Sequence, residues 1–339
     1  TSTIIKISGY LCMAFFPSFW GFMGGALLLA TGTGIFKPGI QGTLGNAVRK
    51  ESGSMAWGIF YQVVNIGGFL GPIVAVHFRQ LSWDSLFFVC AGIISLNFLL
   101  LLTYKEPGKE ERLKLKEKVA SGEIRQKHLW KDAWSELRKP IVYWYMLVFA
   151  GFWFLFNALF DVLPLHVRDW VDTSTVITDL FGPGGTQNGF LQFILGMNNE
   201  GTRIEPEGVV NLNAAMIMLT CFLVAAWTAH YRITTAMFAG AVASVVSMIL
   251  IGGFESAWIV LFAVALFSLG EMMISPKKNE YMSNIAPKNK RAMYLGFVML
   301  PQGIGWGLEG YFGPWLYNEF ASKENFSREM LTSKGMSAD

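Results

Sequence analysis

The sequence is short of charged residues. Of its 339 residues, 15% are Asp, Glu, Lys or Arg, whereas an average soluble domain carries about 25%. Apolar residues make up 53% of the chain, and the mean hydropathy is +0.40. This combination excludes a soluble enzyme, a disordered chain and a nucleic-acid-binding protein.

Cysteine is also scarce, and the motifs of common catalytic sites are missing. Cys12, Cys90 and Cys221 lie far apart in apolar runs, without metal-ligand spacing or the even number of a disulfide framework. The chain contains no GxSxG, HExxH or CxxC motif. The sequence therefore predicts neither an enzyme nor a metal or cofactor site.

Long apolar runs dominate the chain. About 20 apolar residues are enough for a helix to cross the hydrocarbon core of a bilayer. One short run and eight full runs predict nine helices, at about 1–16, 19–45, 56–77, 85–104, 141–164, 209–229, 233–252, 257–276 and 292–317. The runs do not alternate apolar with polar residues, and a lipid-exposed helix satisfies its own main-chain hydrogen bonds. The predicted fold class is therefore all-α, a polytopic membrane helical bundle.

The positive charges indicate the orientation of these helices. Lys and Arg concentrate in alternate loops, at 46–54, 105–140, Arg232 and 277–291. Since cytoplasmic loops retain positive charge, we expect 105–140 and 277–291 to be cytoplasmic. The alternation of basic and non-basic loops also supports the number of predicted helices.

The basic segment divides the chain into two hydrophobic halves. We expect four helices in residues 1–104, a cytoplasmic linker at 105–140, and five helices in 141–318 with a long outer loop at 165–208. Residues 319–339 are interpreted as an outer loop or the start of a further helix.

Four ionisable residues lie inside the apolar runs, namely Lys37, Asp161, Glu271 and Glu309. A charge at the centre of a membrane helix costs about 2.5–3.5 kcal/mol, so each is expected to face a cavity or a partner. Lys37 and Glu271 would offer opposite charges to a zwitterion. We interpret Glu309 as an interfacial or structural carboxylate.

Other polar residues accompany these charges. Tyr61 and Asn65 are four residues apart and share one helix face, as do Asn157 and Asp161. Asn213 lies near the start of its helix. For each of them, helix-to-helix hydrogen bonding and a role in a substrate cavity both stay open.

Pairs of glycines four residues apart predict close helix packing, because glycine lets two backbones approach. These pairs are Gly21 with Gly25, Gly67 with Gly71, and Gly303 with Gly307.

Three segments together resemble a known family. GTGIFKP at 32–38, FYQVVNIG at 60–67 and GEMMISP at 270–276 resemble the fourth, fifth and tenth helices of the proton-dependent oligopeptide transporters. These transporters belong to the major facilitator superfamily. The resemblance covers essentially the whole chain and implies the major facilitator fold of two helical halves. It also implies truncation at both ends, without the first two helices and the last.

The resemblance implies roles for individual residues. Lys37 is similar to the lysine tied to proton coupling and to the peptide carboxylate, and Glu271 is similar to the glutamate that receives the peptide amino terminus. Tyr61 and Asn65 resemble residues that contact peptide, and Asn213 resembles the asparagine near the substrate carboxylate. Together these five are the predicted substrate-binding residues.

The seventh helix departs from the family pattern. Asn157 and Ala158 stand where many members have an acidic residue and Gln. Asp161 follows one turn later and joins Lys37 and Glu271 as a candidate for proton coupling.

The resemblance implies a secondary active transporter that carries di- or tripeptides with protons across the inner or plasma membrane by alternating access. The alternative is a major facilitator transporter of another small solute, such as an amino acid, nitrate or a drug. The expected partners are the small-molecule or peptide substrate, protons and the lipid bilayer, and we expect the protein to act as a monomer. A membrane-embedded enzyme would need a polar catalytic cluster, whereas the sequence offers scattered single groups.

Overall fold

The computed structural model describes residues 1–49, 52–103, 129–287 and 290–334, together with residues 113, 114, 117 and 121. The side chains of 72–77 and 79–81 are outside this description. Most of the predicted linker at 105–140 lies outside the described residues, so its position in the cytoplasm stays a prediction.

The regular elements of the described residues are helices. They are α1 (Ser2–Phe15), α2 (Phe19–Ala47), α3 (Gly53–Leu81), α4 (Trp83–Thr103), α5 (Leu129–Leu137), α6 (Pro140–Trp170), α7 (Ser174–Phe181), α8 (Gly189–Leu195), α9 (Pro206–Thr228), α10 (Ile233–Gly253), α11 (Ala257–Ile285), α12 (Arg291–Phe297), α13 (Met299–Phe320) and α14 (Lys323–Ser333). Six of them, α2, α4, α6, α9, α10 and α11, are long and apolar enough to cross a membrane. The predicted all-α fold is confirmed, and the protein is an integral, multi-pass membrane protein.

Helix α11 is longer than the sequence predicts. It continues through Pro276 to Ile285 instead of ending at the proline. A proline inside a helix removes one main-chain hydrogen bond, and contacts beyond Pro276 offset this loss. Lys277 donates a hydrogen bond to the start of α3, and the Lys278 ammonium lies 3.9 Å from the centre of the Trp153 ring. The prediction that both lysines belong to a loop is therefore wrong, since they are buried helix residues, whereas their place on the cytoplasmic side stays a prediction.

The predicted helix at 292–317 is two helices, α12 and α13. Pro301 has no N–H to donate to the carbonyl of Phe297, four residues earlier, and the two helices separate at this carbonyl. The predicted outer loop at 165–208 contains the short helices α7 and α8, and α14 lies in the segment after 318.

The chain forms two compact units. The first comprises Thr1–Gly53, Ile66–Lys139 and Glu280–Phe297, and the second comprises Ser54–Asn65, Pro140–Asn279 and Val298–Asp339. Helices α3 and α11 contribute residues to both. The predicted division into two halves around 105–140 stays a prediction.

In the first unit, α1 packs against α2 and α4, and α12 packs against α2. A Cβ atom added to Gly25 would lie 2.6 Å from the carbonyl oxygen of Gly9. The predicted close packing at Gly25 is confirmed, because only glycine permits this approach between α1 and α2.

An ionic cluster joins α5 to α12 in the first unit. The Lys290 ammonium lies 2.7 Å from Asp132 and 2.9 Å from Glu136, and the Tyr294 hydroxyl donates to Glu136 at 2.5 Å. Burial by itself raises the pKa of Glu136, but hydrogen bonds from Lys139, Tyr294 and Lys290 outweigh it and lower the pKa to about 2. Glu136 is therefore ionised at neutral pH and holds α5 in place.

In the second unit, α6 packs against α9, α10 and α13. Its core contains fully buried side chains from three of the helices, such as Leu159 on α6, Val209 on α9 and Phe267 on α11. This core supports the polar groups described below.

Most of the predicted glycine pairs do not lie at close helix contacts, and other glycines do. Within the described residues, no atom lies within 4 Å of a Cβ added to Gly67, Gly71, Gly303 or Gly307, so the predicted close packing at these four is wrong. Between the last two, Gly305 is the contact residue, since its added Cβ would lie 2.6 Å from a main-chain oxygen of α6.

Candidate functional site

A buried carboxylate with two hydrogen-bond donors lies in the second unit. Glu271, on α11, is 1% exposed. The Tyr61 hydroxyl of α3 donates to its Oε1, and the Asn213 amide of α9 donates to its Oε2 at 2.8 Å. Three of the five predicted substrate-binding residues are therefore in direct contact, and we call them the Glu271 cluster.

Ser268 fixes the orientation of Asn213. The Asn213 amide nitrogen donates its second hydrogen to Ser268 Oγ at 3.1 Å, and Ser268 in turn donates to the Val264 carbonyl at 2.8 Å. The sequence analysis missed Ser268. Its spacing of three residues from Glu271 places both on one helix face, and this signal could have identified it.

The first turns of α3 reach Glu271 because they pack closely on α9. A Cβ atom added to Gly58 would lie 2.2 Å from the Ala225 Cβ, and the Cys221 thiol lies 3.6 Å from the Gly58 carbonyl oxygen. One turn further, Gln62 donates to the Met218 carbonyl at 2.7 Å. Gly58 therefore allows the approach that brings Tyr61 to the carboxylate.

The remaining two predicted residues lie elsewhere. Asn65 donates its amide to the main-chain carbonyl of Tyr61 at 2.9 Å, within its own helix. Lys37 lies on α2 in the first unit, with an exposed side chain. Its predicted role opposite Glu271 stays a prediction.

A second polar cluster in the same unit contains Asp161. Asn157 donates from α6 to Asp161 at 2.9 Å and also to Glu309 on α13. Glu309 is 0% exposed. Of the two predicted alternatives, interfacial or structural, the structural one agrees with this position, because Asn157 holds the Glu309 carboxylate inside the unit. We call these three residues the Asp161 cluster.

Comparison with known proteins identifies the family. The profile of the Major Facilitator Superfamily matches residues 1–310. The chain belongs to the major facilitator superfamily. Membership agrees with the long apolar helices and explains the lack of catalytic motifs, since this superfamily consists of transporters.

Two curated proteins are similar to this chain. A Na(+), Li(+), K(+)/H(+) antiporter of Planococcus maritimus is 23% identical over 282 residues, which cover 80% of this chain and 61% of the antiporter. The multidrug resistance protein MdtH of Sodalis glossinidius (strain morsitans) is 28% identical over 109 residues, covering 32% of this chain and 27% of that protein. The chain thus spans less than two thirds of the length of these relatives.

Two solved structures of a POT family transporter share the fold. One contains 5-aminolevulinic acid and the other a thioalcohol-conjugated peptide. Each superposes with a TM-score of 0.54 at 17% identity and covers 95% of this chain and 75% of the solved one. At this identity the likeness shows the fold, so the predicted major facilitator fold is confirmed.

Proposed function

We propose that this superfamily member is a proton-coupled symporter of di- and tripeptides, and that Glu271 binds the amino terminus of the peptide. The observation that carries the proposal is the buried Glu271 carboxylate, held by Tyr61 and Asn213. These three residues are also ones for which the sequence resemblance implies contact with peptide. Peptide binding in a solved structure of the same fold is consistent with this substrate class.

The hydrogen bonds of Glu271 suit an ammonium ligand. An ionised carboxylate offers about four acceptor positions, and Tyr61 and Asn213 occupy one on each oxygen. In the proposed complex, an N–H donor of the substrate uses a remaining acceptor position of the carboxylate. Since both protein partners are fixed by their own helices, the carboxylate is oriented before substrate binds.

A proton can take the place of the ammonium at the same carboxylate. Either ligand neutralises a charge that is costly inside a membrane helix. We therefore keep Glu271 as a candidate for proton coupling, together with Lys37 and Asp161. Lys37 is the proposed partner of the peptide carboxylate.

Uptake of a labelled dipeptide into proteoliposomes tests this function. With an inward proton gradient, we expect Glu271→Gln to lower uptake at least about tenfold, because it removes a buried charge-assisted interaction worth about 1.5–3 kcal/mol. Lys37→Ala should lower uptake as well. Glu200→Gln, which changes an exposed carboxylate in another segment, is the matched control and should transport normally. Undiminished uptake in both Glu271→Gln and Lys37→Ala would refute the site.

The second candidate is transport of another small solute. The similarity to the antiporter extends over 80% of this chain and favours alkali-cation exchange, and the similarity to the multidrug protein favours a drug. A pH-sensitive dye inside the same proteoliposomes separates these functions. Proton movement driven by a Na⁺ or K⁺ gradient, without dipeptide-dependent proton entry, would overturn the peptide proposal in favour of exchange.

A further inference from the structure

The Asp161 cluster lies one turn from a close contact between α6 and α13. Gly305 is one turn before Glu309 on α13, and a Cβ added to it would lie 2.6 Å from the Ala150 carbonyl oxygen and 2.7 Å from the Trp153 Cβ. This contact brings the Glu309 carboxylate against Asn157. The position of the two carboxyl groups is therefore set by backbone packing.

Asn157 gives both of its amide hydrogens to the two carboxyl groups. Its nitrogen donates to Asp161 Oδ2 at 2.9 Å and also to Glu309 Oε2. Both hydrogens of the side-chain amide nitrogen are thus used, so Asn157 has none left to donate. Within the described part of the chain, no donor reaches the buried Glu309 Oε1. The site thus contains an unpartnered acceptor on a side chain that is 0% exposed.

The two carboxyl groups are also neighbours. Their side chains are brought together because both accept a hydrogen bond from the same Asn157 nitrogen. Ionised carboxylates only accept hydrogen bonds, so two carboxyl groups form one only when a proton lies on one of them. Two like charges that share one amide donor, with one of them on a buried side chain, also disfavour double ionisation.

Among the described residues, no ion pair to a Lys, Arg or His side chain is found for either carboxyl group. Besides Glu309, the charged or titratable side chains on the helices packed around α6 are Glu207 and Cys221 on α9, Glu271, Lys277, Lys278, Glu280 and Tyr281 on α11, and Tyr311, Tyr317 and Glu319 on α13, while α10 carries none. Lys278 is engaged with the Trp153 ring, one turn before Asn157.

We propose that Asp161, Asn157 and Glu309 form a proton-binding site, separate from the Glu271 cluster, in which the two carboxyl groups share one proton. Asp161 is the exposed member of the pair, whereas Glu309 is buried. Proton binding converts one carboxylate to a carboxylic acid, and the pair keeps a single negative charge. The use of this proton in coupling rests on the proposed function, but its binding does not.

Infrared spectroscopy of the purified full-length protein in lipid nanodiscs tests the site without a transport assay. At neutral pH we expect the C=O stretching band of a protonated carboxyl group. Glu309→Gln should remove this band, and Asp161→Asn should shift its position, because the acid then loses its carboxylate partner. Glu200→Gln is the matched control and should leave the band unchanged.

The same spectra provide the results that would overturn the proposal. One is a band of unchanged position and intensity in both Glu309→Gln and Asp161→Asn. Another is the absence of a protonated carboxyl band from the wild-type spectrum, together with a shift of the carboxylate bands when Na⁺ is added. Glu309→Gln would abolish this Na⁺-dependent shift. That outcome would assign the cluster to an alkali cation instead. A protein that fails to carry peptides still gives a decisive spectrum, so failure of the proposed function is distinguishable.

Discussion

Replacing Gly58 with alanine should separate α3 from α9 and weaken the Glu271 cluster. The added Cβ would lie 2.2 Å from the Ala225 Cβ, whereas ordinary contacts begin at 3.4 Å. The helices must therefore move apart by about 1.2 Å at this point, the difference between these two distances. Tyr61 is one turn further along α3, so its hydroxyl moves away from Glu271.

The energetic cost follows from two opposing effects. Overpacking a well-packed contact costs about 1–3 kcal/mol. Replacing glycine by alanine inside a helix stabilises the folded protein by about 0.8–1 kcal/mol, because alanine has the higher helix propensity. Gly67→Ala is a matched control on the same helix, because its added Cβ meets no described atom within 4 Å. The difference between the two variants isolates overpacking, and we expect Gly58→Ala to be less stable than Gly67→Ala by about 1–3 kcal/mol.

Chemical unfolding in detergent micelles measures this difference. A compensating change provides a further check, since Ala225→Gly removes the methyl group that the new Cβ meets. The double variant Gly58→Ala with Ala225→Gly should recover most of the lost stability. Equal stability of Gly58→Ala and Gly67→Ala, or no recovery in the double variant, would refute the close contact.

Two further changes test other parts of the structure. Tyr61→Phe removes a hydrogen-bond donor from the buried Glu271 and should lower the free energy of unfolding by about 1.5–3 kcal/mol. Tyr143→Phe, at an exposed position of α6, is the control and should have little effect. Equal losses of stability in the two variants would contradict the hydrogen bond. Folding lowers the pKa of Glu136 from its ordinary 4.5 to about 2. The ionised carboxylate therefore stabilises the folded protein fully above pH 4.5, and this stabilisation is lost as the pH falls through about 2. Unfolding measured between these pH values should therefore show a smaller pH dependence in Glu136→Gln, and an unchanged dependence would contradict the ionic cluster.

The helices could be predicted largely from the sequence, because each apolar run has the length and composition of a membrane span. Helix ends were less predictable where proline occurs. Pro276 looks like a helix end, yet the contacts of Lys277 and Lys278 beyond it continue α11. Pro301 lies inside one predicted long helix, yet the residue to whose carbonyl it cannot donate, Phe297, is the last residue of α12.

The members of the Glu271 cluster could be predicted, but their pairing could not. Tyr61 and Glu271 are 210 residues apart, and whether they meet depends on how α3 and α11 are rotated about their axes. Periodicity gives the face of one helix but not the helix that it meets. The glycines show the same limit, because the contact of Gly58 with Ala225 depends on where two helices cross rather than on a local pattern.

The environment of Glu309 could be predicted only in part. Its place near the end of an apolar run left an interfacial and a structural carboxylate open. The close approach of α6 and α13 at Gly305 buries it beside Asn157, which favours the structural alternative. A contact between two distant segments thus decided the environment of this residue.

The central claim is that Glu271 binds the amino terminus of a peptide. Equilibrium binding of a dipeptide and of its N-acetylated form, to the wild type and to Glu271→Gln, tests it most directly, because acetylation removes the charge that Glu271 is proposed to bind. We predict that the wild type binds the free dipeptide at least about tenfold more tightly than the acetylated form, and that Glu271→Gln binds both with similar Kd. An undiminished preference for the free amino terminus in Glu271→Gln would contradict the claim.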